Sequence, residues 1–82
     1  MPSFGRIGPF RLFIYSSDCT ERRHIHIHIQ RDKSTTKYWI DPEVILASNS
    51  GFRRNELNRH ERIVVENRQE LIRFWNEFCT GS

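Results

Sequence analysis

The polarity of this chain alternates most regularly at residues 24–30, where His-Ile-His-Ile-His-Ile-Gln keeps a strict period of two. On a β-strand such a run sends alternate side chains to opposite faces. The pattern therefore predicts that Ile25, Ile27 and Ile29 are buried while His24, His26 and His28 form an exposed face. Upstream, residues 6–15 read as a first strand, with Phe10, Leu12 and Ile14 alternating with Arg11, Phe13 and Tyr15, and with a kink or bulge at Gly8-Pro9. Residues 16–23 are a polar connection in which Ser16-Ser17-Asp18 favours turns. Arg31 to Thr35 is a polar hairpin loop with Asp32 as its turn residue. Thr36 to Ile40, β-branched and aromatic, is the returning strand.

The period then changes. Asp41 is a good helix N-cap and Pro42 suits a first helical position, so Glu43 to Ala47 is expected to be a short helix, stopped by Ser48-Asn49-Ser50-Gly51. From Phe52 to about Cys79 the apolar positions Leu57, Val64, Leu71 and Phe78 recur every seven residues, with Val65, Ile72 and Trp75 widening the stripe. One long helix, or two broken near Asn67, satisfies that spacing. Residues 80–82 are expected to fray. The predicted architecture is α+β in a single domain over residues 1–82. Residues 1–40 would build a small three-stranded antiparallel sheet (β-β-β), and residues 41–79 a short helix and a long C-terminal helix or helix pair packed on one face.

Composition narrows the picture. Eighty-two residues leave room for one domain, and a chain so short buries only about 60% of its unfolded surface, which makes a dimer or partner interface a natural source of stability. The apolar runs are far shorter than the ~20 residues of a membrane span, and the opening Met-Pro-Ser-Phe-Gly-Arg lacks the apolar core of a secretory signal. A cytoplasmic location is expected, with Cys19 and Cys79 as two reduced thiols. The net charge of +3 is uneven: residues 1–40 hold seven Lys or Arg against three Asp or Glu. A basic excess in that half suits an acidic partner such as RNA or DNA.

Residues i and i+2 on a strand stand about 7 Å apart on one face, so the histidines can act together. Two imidazoles can serve as general base and general acid across a phosphodiester, because imidazole titrates near neutral pH. They can instead ligate an ion together with Asp18, Cys19 or the third histidine, but no fixed carboxylate or cysteine spacing specifies such a site, so no metal or cofactor is assigned. Ringed by arginines, the same face can bind phosphate and stack bases. This reading assigns His24 and His26 as the acid–base pair and Arg22, Arg23, His28, Arg31, Lys37 and Tyr38 as nucleic-acid contacts. Trp39, Phe74, Trp75 and Phe78 are expected in the core. Arg53, Arg54, Arg59 and Arg62 alternate with Glu56, Glu61 and Glu66, as on a salt-bridged solvated helix, and His60 has no evident partner.

Several segments together are similar to one known family: residues 6–18 (Arg-Ile-Gly-Pro-Phe-Arg-Leu-Phe-Ile-Tyr-Ser-Ser-Asp), His24-Ile25-His26-Ile27, Tyr38-Trp39-Ile40-Asp41-Pro42, Gly51-Phe52 followed by Glu56-Leu57, and Trp75-Asn76-Glu77-Phe78. In order and spacing they resemble the bacterial domain of unknown function family 4160. That family typically reads Asp-His-x-Pro-Pro-His-Val-His-Val before its second strand. Here His24-Ile25-His26-Ile27 matches the last part, Cys19 or Thr20 stands where a histidine would be, Arg22-Arg23 replaces the prolines, and His28 is extra. Arg53 occupies the place of a helix-capping serine. The resemblance implies a small protein encoded beside a partner of domain of unknown function family 2442, in an arrangement like a toxin–antitoxin module. The resulting expectation is a toxin that acts on or binds RNA, a ribonuclease if His24 and His26 are catalytic, with a cognate antitoxin as partner. The alternatives are a non-enzymatic interaction protein that binds protein or DNA, and a small metal-binding protein.

Overall fold

The computed structural model describes residues 3–20 and 25–79. Five strands form one antiparallel sheet in chain order: β1 (Ser3–Ile7), β2 (Phe10–Phe13), β3 (His26–Arg31), β4 (Ser34–Trp39) and β5 (Ile45–Ser50). Two helices follow, α1 (Arg54–Glu66) and α2 (Arg68–Cys79). The class is the expected α+β, but the sheet has five strands where three were expected. The sequence break at Gly8-Pro9 is not a kink within one strand but the turn of a β1–β2 hairpin, with Gly8 at φ 60°, a conformation that costs glycine nothing. The β3–β4 turn is tighter than expected, with Asp32 at φ 55° and β4 beginning at Ser34, since Asp tolerates the left-handed region.

The second added strand replaces the short helix predicted at Glu43 to Ala47. Asp41 does not cap a helix there. The Arg68 guanidinium donates to Asp41 Oδ1 at 3.1 Å, to the Ile40 carbonyl at 2.9 Å and to the Pro42 carbonyl at 3.0 Å, which pins this connection to the start of α2. The chain then runs back along β4, with Lys37 opposite Ser48 and Thr35 opposite Ser50. At the exit from β5, Gly51 takes φ +97°, and a Cβ placed on it would lie 2.5 Å from Ser34 Oγ.

Leu57, His60 and Val64 of α1 and Leu71 and Trp75 of α2 form one stripe at helical spacing and turn inward. They pack with Phe10, Leu12, Ile14, Ile27, Ile29, Tyr38, Ile40 and Phe52 into a single core. The helical region is two helices. At Asn67 the side-chain amide and the backbone N–H both donate to the Ile63 carbonyl, at 2.9 and 3.0 Å, which competes with helix continuation and bends the chain. Arg53 precedes α1 and offers no side-chain acceptor, so the capping interaction that remains is its own N–H donating to the Glu56 carboxylate at 3.4 Å. Among the described residues no helix is long and apolar enough to cross a membrane. The expected fraying of residues 80–82 lies outside the described residues.

Candidate functional site

Strand register divides the predicted site residues between two faces. Ile27 pairs with Tyr38 and Ile29 with Thr36 on the face covered by the helices, where Ile27 and Ile29 are buried. His26 pairs with Trp39 and His28 with Lys37 on the other face. The isoleucine half of the sequence pattern is thus correct for the two central positions, while Ile25 is half-buried.

The histidine half needs correction. His26 is fully buried and the His28 side chain is 16% exposed. Residues 15–20 fold back over this face instead of bridging away from it, bringing Tyr15 and Asp18 against the histidines. Ser16–Thr20 form one 3-10 turn, which a disulfide between Cys19 and Cys79 joins to the end of α2. The two cysteines, expected as reduced thiols, are joined because the sheet and α2 bring their Cα atoms to 5.2 Å across a sequence separation of 60. Covered by this lid, the His26 ring lies 4.8 Å from that of Trp75 and 5.4 Å from that of Trp39, while His28 stacks on Phe13 at 5.4 Å and meets Tyr15 edge-on at 4.8 Å.

The lid also delivers a carboxylate. Asp18, 8% exposed, accepts the Tyr15 N–H at 2.8 Å, and its own N–H donates to the Tyr15 carbonyl at 3.0 Å. Its Oδ1 lies 3.2 Å from His26 Nε2 and its Oδ2 3.0 Å from His28 Nε2. Burial alone would raise the Asp18 pKa, but the Tyr15 N–H and the two imidazoles outweigh it and hold the group below the usual carboxylate value. Burial pushes the His28 pKa down, against the pull of Asp18, with which its Nε2 shares a hydrogen bond at 3.0 Å. One ligand atom from each of Asp18, His26 and His28 lies within 4.8 Å of the others. Asp18 was weighed from sequence only as one of several companions to a histidine pair. What singles it out is the backbone hydrogen bonding of the 3-10 turn, which no spacing rule reveals.

The other predicted contacts disperse. Arg22, Arg23 and His24 lie outside the described residues. Tyr38 is not on the histidine face: it is 2% exposed within the core, its hydroxyl donates to the Leu57 carbonyl at 3.0 Å, and burial followed by the nearby Glu61 raises its pKa to about 12. Arg31 shares the parity of the isoleucines. Its guanidinium pairs with Glu56 and covers the Phe10 and Phe52 rings at 5.9 and 5.4 Å. Lys37 does join His28, its ammonium 4.5 Å from the Trp39 ring centre. Two residues not singled out from sequence, Arg6 and Arg11, stand directly opposite each other on β1 and β2, and Arg11 is in turn opposite Gln30. Arg6, Arg11, Gln30 and Arg31 help to line a surface groove of about 310 Å³.

In comparison with known proteins, the family model described as domain of unknown function (DUF4160) matches residues 10–76. No curated protein and no solved structure matches the chain.

Proposed function

The chain belongs to the DUF4160 family, and we propose that it is a toxin–antitoxin component, the toxin, that binds RNA along the sheet face opposite the helices. The observation that carries this reading is the row formed by Arg6, Arg11 and Gln30 across β1, β2 and β3. Two arginines in direct register repel each other, which costs stability unless an anion lies between them. A groove lined by both, with an amide beside them and Lys37 on the same sheet face, suits a phosphodiester backbone. What supports the module role is the resemblance to a family whose members are encoded beside partners. Because His26 is fully buried, we assign the RNA contact to the arginine row and to His28 and give His26 no direct contact with the substrate.

A fluorescein-labelled single-stranded RNA followed by anisotropy over a salt series tests the reading. Wild type should bind, and Arg6→Ala and Arg11→Ala should each weaken binding and lower the slope of log K against log salt by about 0.7. RNA binding that ignores both substitutions, or no binding at 50 mM salt, refutes it. Induced expression should arrest growth in a bacterial host and co-expression of the neighbouring gene should relieve the arrest; harmless expression of folded protein removes the toxin role.

One feature favours the second reading, an interaction protein. Strand β5 is exposed along its length at the sheet edge, with Ile45 49% and Leu46 41% exposed. Such an edge can take an added strand from a cognate partner. Replacing Leu46 by Lys would block that pairing and leave RNA binding intact.

A further inference from the structure

We propose that Asp18, His26 and His28 form a binding site for one divalent transition-metal ion, such as zinc. The inference rests on observations other than those behind the RNA reading, with His28 common to both. Donor atoms that share an ion at bonds of about 2.0–2.2 Å and angles near 90–110° sit about 3.0–3.5 Å apart. The carboxylate-to-imidazole separations, 3.2 Å to His26 Nε2 and 3.0 Å to His28 Nε2, already have that length. All three donors lie within 4.8 Å of one another, so a small closing movement seats an ion among them.

Three features set this cluster apart from an ordinary buried hydrogen-bond network. First, both imidazoles turn the same atom, Nε2, toward one carboxylate, each to a different oxygen, and one donor atom from each of the three residues lies within 4.8 Å of the others. Second, each donor is held before any ion arrives. His26 and His28 are fixed by the period of β3 with ring centres 5.2 Å apart, and Asp18 by its two hydrogen bonds with Tyr15 and by the disulfide at the next residue. Third, the surroundings combine an apolar shell with an opening. Trp39, Trp75 and Phe13 line the inner side, which strengthens ion–ligand attraction by excluding water. On the outer side the His28 side chain is 16% exposed and Tyr15 is 45% exposed, so solvent or a substrate atom can supply a further ligand. Two imidazoles and one carboxylate with a position left open are a donor set for zinc, nickel or iron(II), and unlike a thiolate set they do not select soft ions.

The test is titration of zinc chloride into the full chain, stripped beforehand with chelator and with its disulfide intact, by isothermal calorimetry and by thermal melting. The expected result is one zinc per chain with a dissociation constant in the micromolar range or tighter, and a melting temperature that rises with zinc concentration. Cobalt(II) in place of zinc should give visible absorption bands of a site with nitrogen and oxygen ligands. Asp18→Asn and His28→Gln should each weaken zinc binding at least tenfold, whereas His60→Gln, which alters a buried histidine elsewhere, should leave it unchanged. If Asp18→Asn does not fold, His28→Gln decides, because that side chain is partly exposed and its loss opens no core cavity. No zinc binding by wild type overturns the proposal, and so does binding that survives both substitutions, which would place the ion on other histidines. Loss of RNA binding in Arg6→Ala and Arg11→Ala with zinc affinity retained would separate this site from the proposed RNA face.

Discussion

Lowering the pH from 7 to 5 should destabilise this protein by about 2 kcal/mol through one residue, His60. Its ring is fully buried between those of Phe10 and Phe52, each 4.4 Å away and edge-on, with Nδ1 3.3 Å from Thr36 Oγ1. Nε2 has no hydrogen-bond partner among the described residues. Burial therefore pushes the pKa down from 6.5 to about 4; Glu56 pulls the other way, and Arg31 and Arg59 add to the depression. A histidine with a lower pKa folded than unfolded is protonated first in the unfolded chain. Its contribution to stability is complete above pH 6.5 and is lost as the pH falls toward 4. At pH 5 protonation of this histidine shifts the folding equilibrium toward the unfolded chain by a factor of about 30, which is about 2 kcal/mol. The assay is urea unfolding followed by tryptophan fluorescence at pH 7, 6 and 5 in metal-free buffer, on wild type and on His60→Gln. Glutamine can still hydrogen-bond Thr36 but does not titrate. His28, also depressed by burial, contributes the same sign in both proteins and cancels in the comparison. Wild type should lose about 2 kcal/mol more than the variant between pH 7 and 5. Parallel pH profiles for the two proteins would refute the assignment.

Two further outcomes follow from the geometry. The disulfide closes a long loop, with Cys19 and Cys79 at a sequence separation of 60, so the double substitution Cys19→Ser, Cys79→Ser should cost about 4 kcal/mol on the chain-entropy model, read from the shift in urea midpoint. Two free thiols in the denatured, unreduced protein would refute the pairing. Tyr38→Phe should remove the hydrogen bond to Leu57 O and cost about 1 kcal/mol while leaving RNA affinity unchanged. A loss of RNA affinity at unchanged stability would return Tyr38 to the binding surface.

The sequence by itself determined the elements whose periodicity is strong. The alternation at residues 24–30 specified β3 and the inward side of Ile27 and Ile29, and the seven-residue recurrence specified the helical region and the inward side of Leu57, Val64 and Leu71, whereas Phe78 and Val65 of the same expected stripe are 40% and 54% exposed. These properties are local, because side-chain period follows from backbone geometry alone. Tertiary structure decided the rest. Ile45–Ser50 has no strong period of its own, and pairing with β4 made it a strand where a capped helix was expected. The parity of Tyr38 depended on hairpin register, which a two-residue turn set and which moved it from the histidine face into the core. The exposure of His26 and His28 depended on whether anything covered the second face of the sheet. The 3-10 turn, tied through Cys19 to the end of α2, covers it, and with it Asp18 reaches imidazoles eight and ten residues away in the chain. A histidine strand read as a surface becomes a buried donor cluster for that reason: alternation fixes which residues share a face, but only long-range packing fixes what lies against it.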